Sequence, residues 1–80
     1  MPVAQKKKPL IIVELENLLN TPIVVVLKDG RVIKGTLRAF DPSHLNIVLY
    51  GVTEIVGDIE KKYAKMIIRG DSIEYIASLQ

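Results

Sequence analysis

Apolar residues near the start of the chain recur at helical spacing. Ile11, Leu15 and Leu18 share one stripe, whereas the acidic and amide side chains between them lie off it. A proline opens this segment, where a first helical turn tolerates it, and the sequence Asn-Thr-Pro closes it. The pattern predicts one short helix over Pro9–Leu19.

The apolar period changes to two after this helix, which indicates β-strands. The predicted strands are Ile23–Leu27, Ile33–Ala39, Asn46–Val52, Ala64–Ile68 and Ile73–Ala77. Gly35 lies inside the second strand and predicts a bend or a close backbone approach. The mixed, charged stretch Thr53–Tyr63 is predicted to be an extended loop with its tip at Gly57-Asp58.

A short N-terminal helix followed by five short antiparallel strands predicts an all-β fold, with the sheet bent into a small open barrel. Such a barrel leaves two edge strands. The last two strands are rich in isoleucine and carry few charges, so their edges are poorly protected against pairing. Identical subunits that pair edge to edge close into a ring when the rotation permits, and the pattern therefore predicts a β-oligomer.

Length and composition agree with a subunit rather than an isolated enzyme. Eighty residues make one domain, and 49% of them are apolar, with 20 isoleucines and valines. That is more apolar surface than one small core needs. The chain has no cysteine and one histidine, which excludes disulfides, thiolate sites and multi-histidine metal centres, and we expect no cofactor. The net charge of +2 is too small to indicate nucleic-acid binding by itself.

The first eight residues are polar and include three consecutive lysines. We expect residues 1–8 to form a flexible basic tail ahead of a single domain over residues 9–80. Glu14 and Glu16 interrupt the apolar run that follows the lysines, which argues against a secretion signal. The longest apolar run, Ile23–Leu27, is far too short to span a membrane. We therefore expect an intracellular, cytoplasmic protein with no membrane partner.

Candidate chemistry is concentrated in two loops. Their polar residues are Asp41, Ser43, His44 and Asn46 in the first, and Arg69, Gly70, Asp71 and Ser72 in the second. Asp41, Ser43 and His44 are the residue types of a hydrolase triad, but they are neighbours on one tight loop, whereas triad members come from separate elements. A metal site built from these loops would have a single nitrogen ligand. The sequence therefore predicts no enzyme activity.

Nucleobase recognition fits the same residues better. His44 and Arg69 are suited to stacking on a base. The amide of Asn46 offers a donor and an acceptor, which match the O4 acceptor and the N3–H donor of uracil. Asp71 is placed to orient Arg69 or to accept from a base. The alternative is that these are ordinary solvated turn residues, and residue types alone do not exclude it.

Two blocks of sequence resemble the Sm and Sm-like (LSm) family, and its archaeal members in particular. The first block, Val24–Glu54, reads VVVLKDGRVIKGTLRAFDPSHLNIVLYGVTE, and the second, Ile68–Ile76, reads IRGDSIEYI. The resemblance covers nearly the whole chain. It implies a helix that caps a strongly bent five-stranded sheet, and a ring, most often of seven identical subunits, joined through the fourth and fifth strands. It also implies that uridine-rich single-stranded RNA binds near the pore, one base per subunit, in RNA processing or metabolism, with other RNA-processing proteins as further candidate partners.

The resemblance also implies an RNA-binding set, which is His44, Asn46, Arg69, Gly70, Asp71 and Asp41. In this set the histidine and the arginine sandwich the base, the asparagine bonds its edge, Asp41 braces the asparagine, and Gly70 and Asp71 shape the rest of the pocket. The chain departs from the family at one place, because four residues separate Asp41 from Asn46 where three are usual. This lengthened loop motivates the alternative hypothesis of a structural or protein-interaction ring with little RNA affinity.

Overall fold

The N-terminal helix begins directly after a proline and ends in a tight reversal. The structure is a computed structural model that describes residues 7–80, so most of the predicted basic tail lies outside the described residues. Helix α1 spans Leu10–Leu18, and the carbonyl of Pro9 accepts hydrogen bonds from the amides of Ile12 and Val13. Asn20 then adopts a left-handed conformation with φ of 65°, which turns the chain into the first strand. The predicted helix is confirmed to within one residue at each end.

Five strands follow and form a single antiparallel sheet. They are β1 (Pro22–Leu27), β2 (Val32–Phe40), β3 (Ile47–Val56), β4 (Ile59–Ile68) and β5 (Ile73–Ser78). The strand order is β4-β3-β2-β1-β5, so β4 and β5 are the two edges, as the apolar pattern predicted. A short 3₁₀ turn, Gly70–Ser72, connects them in sequence. The molecule is therefore all-β with a short N-terminal helix, as predicted.

The prediction of a loop over Thr53–Tyr63 is wrong. This stretch is a long hairpin in which β3 continues to Val56 and β4 begins at Ile59, so that only the predicted tip, Gly57-Asp58, turns. Buried Glu54 helps to hold β3 here, because Arg31 donates a hydrogen bond of 2.9 Å to its carboxylate. Charged residues in a mixed stretch therefore do not by themselves indicate a loop.

The core lies inside the bend of the sheet, with α1 across one end. Its members are Ile23, Val25, Leu27, Ile33, Leu37, Ile47, Leu49, Val52 and Ile68. Strands β2 and β3 approach closely at Gly35, because a Cβ there would lie 3.3 Å from the Cβ of Leu49 and 3.2 Å from the carbonyl oxygen of Tyr50. The ladder shifts register at Gly35 itself, between Lys34 and Thr36, and again between Leu37 and Ala39, as in a bulged strand. Within residues 7–80, no helix is long and apolar enough to cross a membrane.

Candidate nucleic-acid interface

The carboxylate of Asp41 organises the loop between β2 and β3. Its Oδ1 accepts hydrogen bonds from the amide of His44 at 2.6 Å and from the hydroxyl of Ser43 at 3.0 Å. The backbone closes around it, because the carbonyl of Asp41 accepts from Leu45 and its amide donates to the carbonyl of Asn46. Leu45 takes a left-handed conformation with φ of 57°, which accommodates the four-residue spacing. The longer loop is therefore compact and well bonded.

The side chain of Asn46 links the two loops that the sequence singled out. Its Nδ2 donates to Oδ2 of Asp41 at 2.8 Å, and its Oδ1 accepts from the amide of Gly70 at 2.9 Å. A carboxylate only accepts and a backbone amide only donates, so the orientation of the Asn46 amide is fixed by its partners. One N–H and one lone pair of this amide remain free to bond a ligand.

Gly70 is needed because the two loops touch backbone to backbone. A Cβ at this position would overlap the carbonyl oxygen of His44 and lie 2.9 Å from the carbonyl carbon of Leu45. Both atoms belong to the main chain and have little freedom to yield. Any side chain at residue 70 would therefore push the loops apart.

Exposed side chains stand on either side of this junction. The side chain of His44 is 80% exposed and that of Arg69 is 78% exposed. Nη2 of Arg69 lies 3.2 Å from Oδ2 of Asp71, which biases the direction of the guanidinium without fixing it, since exposed ion pairs are weak. A cleft of about 130 Å³ is lined by His44, Asn46, Arg69 and Asp71. The structure thus brings four of the six predicted residues around one cleft, with Asp41 and Gly70 behind them.

The geometry does not match a hydrolase triad. The hydroxyl of Ser43 lies between Asp41 and His44, 3.0 Å from Oδ1 of the first and 3.0 Å from Nδ1 of the second. A triad needs the imidazole in the middle, where it takes a proton from the hydroxyl and is oriented by the carboxylate. Across residues 7–80, no three or more histidine, aspartate or glutamate side chains are grouped to hold a metal ion.

The pKa of Asp41 lies below its usual value of 3.8, first because its carboxylate accepts the His44 amide and then because it accepts from Ser43 and Asn46. A lowered carboxyl pKa contributes stability that is fully present above 3.8 and is lost as the pH falls through the lower, folded-state value. The loop is therefore intact at neutral pH and loosens in acid.

We expect an NMR pH titration to show this loosening directly. The side-chain amide resonances of Asn46 should move with a midpoint below pH 3.8, as the carboxylate that accepts from Nδ2 is protonated. The side-chain amide of Asn17, exposed on α1, serves as the control and should not follow this transition. A midpoint at or above 3.8 would show that Asp41 does not hold Asn46 in this way.

The structure also shows an arrangement that the sequence analysis missed, on the face of the sheet opposite the core. Cζ of Arg38 lies 4.6 Å from the centre of the Tyr50 ring, and Nζ of Lys65 lies 4.9 Å from it. Arg38 directly follows buried Leu37 on β2, so alternation along the strand puts its side chain on the outer face. Its proximity to residues of β3 and β4 depends on the cross-strand register, which the sequence does not display.

A helix-capped, sharply bent sheet with two open edges and a polar cleft between two loops defines a class of small, partly open β-barrels. The chain belongs to the LSM domain family, whose model matches residues 13–78. The resemblance drawn from the two sequence blocks is thereby confirmed.

Relatives from archaea support the same assignment. An Sm-like protein of Methanosarcina barkeri is 38% identical over 64 residues, which cover 79% of this chain and 88% of that protein. One from Thermococcus onnurineus is 45% identical over 56 residues, covering 69% of this chain and 70% of its own.

Solved structures with the same fold are also similar to this chain. The Pyrococcus abyssii Sm protein, solved in complex with a uridine heptamer, superposes with a TM-score of 0.75 at 34% identity, covering 90% of this chain and 99% of its own. The Pyrobaculum aerophilum SmAP1 heptamer superposes with a TM-score of 0.83 at 27% identity, and the match covers 92% of this chain and 99% of that chain. The Sm fold predicted for this chain is therefore confirmed.

Proposed function

We propose that residues 9–80 form a single Sm-like domain, that seven copies assemble into a ring, and that the ring binds uridine-rich single-stranded RNA with one base per subunit. The observation that carries this proposal is the Asn46 amide, held by Asp41 and Gly70 in one orientation beside the exposed His44 and Arg69. The uridine complex of the similar Pyrococcus abyssii protein supports the choice of ligand.

The sheet edges support the ring. Ile67 on β4 is 70% exposed and Tyr75 on β5 is 55% exposed, so both edges present apolar side chains beside unpaired backbone groups. A groove of about 440 Å³ lies between α1 and β5 and is lined mainly by apolar residues, including Ile11 and Ile73. Pairing β4 of one subunit with β5 of the next satisfies the edges and covers apolar surface. The heptameric assembly of the similar P. aerophilum protein supports the number seven.

Uracil matches the bonding capacity that Asn46 retains. The free N–H of Nδ2 donates to uracil O4, and the free lone pair of Oδ1 accepts from N3–H. The imidazole of His44 and the guanidinium of Arg69 supply planar groups on which the base stacks. Cytosine presents a donor at N4 and an acceptor at N3, so it opposes the fixed amide at both positions.

The alternative of a ring with little RNA affinity was motivated by the lengthened loop. The hydrogen bond of 2.8 Å from Asn46 Nδ2 to Asp41 Oδ2 argues against this alternative, because Asp41 still holds Asn46 despite the extra residue. Nothing else in residues 7–80 favours this alternative over RNA binding.

The proposal is tested by the preference for uridine on a short oligonucleotide. We expect Asn46→Ala to reduce the ratio of oligo-U to oligo-C affinity about tenfold, within the range that one two-bond base contact contributes to discrimination. Asn17→Ala, the same change on the exposed side of α1, should leave the ratio unaltered. Fluorescence anisotropy gives both affinities, and native mass spectrometry checks that each variant still assembles. An unchanged ratio in an intact ring would exclude Asn46 as the base reader.

A further inference from the structure

Tyr50 gathers two cations on the sheet face that points away from the core. Arg38 and Lys65 both lie over its ring, at 4.6 and 4.9 Å from the centroid, and Lys65 is its direct partner in the β3–β4 ladder. Tyr50 is 37% exposed. Because a cation over an aromatic face is attracted by the ring, Tyr50 keeps both charges within a small region of the surface.

Two lysines extend this region along the neighbouring rung of the sheet. Lys34 and Lys62 stand on either side of Thr53 in the β2–β3–β4 register, and Nζ of Lys62 donates to the Thr53 hydroxyl at 3.2 Å. Thr53 lies between the buried residues Val52 and Glu54, so its side chain points away from the core. The two lysines therefore belong to the same side of the sheet as Tyr50.

We call these residues the basic face; they are Lys34, Arg38, Tyr50, Lys62 and Lys65. No carboxylate lies among them in the register. Glu54, at the nearest buried position, is turned inward and accepts from Arg31. Glu60, two positions before Lys62 on β4, lies on the same side of the sheet and marks the end of the basic face. In a chain whose net charge is only +2, four cations on one face are a concentrated positive surface.

We propose that the basic face is a second RNA contact, which binds the sugar–phosphate backbone of a single strand without preference for sequence. The inference rests on the proposed function, because it extends the path of an RNA whose uridines occupy the cleft. Each cation neutralises a phosphate, and the Arg38 guanidinium on Tyr50 presents a flat group for a base. An acidic protein segment would use the charges but not this aromatic platform. Pairing of β4 with a neighbour leaves the side chains of this face accessible, since ladder bonds lie in the plane of the sheet.

The test compares a long oligo-A with a short oligo-U on the assembled ring. We expect Arg38→Gln/Lys65→Gln to weaken long oligo-A about tenfold and to leave short oligo-U unchanged. The slope of log affinity against log salt should fall by about 0.7 for each phosphate that is no longer neutralised. Lys28→Gln/Lys61→Gln is the matched control. It removes two positive charges, as the test variant does. Lys28 lies in the β1–β2 turn and Lys61 pairs with buried Glu54 in the ladder, so both lie outside the basic face. Equal effects of the two double variants would overturn the proposal.

A second variant separates an organised site from general attraction. Tyr50→Leu keeps every charge. We expect it still to reduce the affinity for long oligo-A several-fold, and to leave the affinity for polyglutamate at the wild-type value. An unchanged affinity of Tyr50→Leu for oligo-A would show that the surface attracts anions without an organised site. Wild-type binding of polyglutamate as tight as that of oligo-A, with both weakened in Tyr50→Leu, would show a surface for acidic proteins. Either result would overturn the proposal. Loss of uridine preference with Asn46→Ala is a separate readout, so failure of the cleft and failure of the basic face are distinguishable.

Discussion

A Gly70→Ala ring is expected to lose about a hundredfold in affinity for short oligo-U, because the base loses stacking partners that contribute roughly 1–3 kcal/mol each. The added methyl overlaps the carbonyl oxygen of His44, so the two loops must separate. Separation breaks the bond from the Gly70 amide to Asn46 and moves His44 away from Arg69. We also expect the free energy of unfolding to fall by about 1–3 kcal/mol, as in other overpacked sites.

The control for this change is Gly57→Ala at the hairpin tip. Residue 57 has a left-handed φ of 57°, so alanine there adds backbone strain, but a Cβ meets no atom within 4 Å. It should lower stability modestly and leave oligo-U affinity unaltered. Anisotropy titrations of both variants, with native mass spectrometry to confirm assembly, decide the matter. Wild-type affinity in a fully assembled Gly70→Ala ring would mean that the two loops do not form the binding cleft.

Ile67→Pro is expected to dissociate the ring into smaller species at micromolar concentration. Ile67 lies on edge strand β4 opposite Val48, and proline there removes a backbone donor and distorts the strand that is proposed to pair with the next subunit. Tyr75→Pro on edge strand β5 should act in the same way, because each proposed interface uses one edge of each kind. Sedimentation velocity measures the species directly.

Ile67→Thr is the matched control for the proline variant. Threonine keeps the amide hydrogen and the strand preference of a β-branched residue, and it removes only apolar surface. If the backbone ladder holds the ring, the threonine variant remains assembled while the proline variant does not. Far-UV circular dichroism must show a β-sheet spectrum for both. A folded Ile67→Pro protein that sediments as the wild-type ring would exclude β4 as the joining edge.

The elements that depend on local pattern were accessible from the sequence. The helix stripe of Ile11 and Leu15, the alternation along β2 and the bend at Gly35 all follow from spacing within one segment. The hairpin strands beyond Val52 could not be predicted from the sequence, because their charged residues give the same mixed pattern as a loop. Glu54 pairs with Ile33 and Lys61 in the ladder, and its buried carboxylate is satisfied by Arg31, which lies 23 positions earlier in the chain.

Only part of the candidate site could be predicted from the sequence. Its residue types are visible there, and their roles were inferred from the resemblance to the Sm motifs. The orientation of Asn46 was not visible, because it depends on the amide of Gly70, 24 positions later, and on the left-handed turn at Leu45. A spacing count shows that the loop is longer, but only the folded backbone shows that Asp41 still reaches Asn46.

The doubly bonded Asn46 has a consequence for binding kinetics. Asp41 and Gly70 hold its amide before any RNA arrives, so little entropy is lost there when a base enters, and no rearrangement of the amide precedes recognition. Uridine and cytidine should then associate with the ring at similar rates set by diffusion and charge. We therefore expect the preference for uridine to arise from residence time, with cytidine entering the cleft as readily as uridine and dissociating from it sooner.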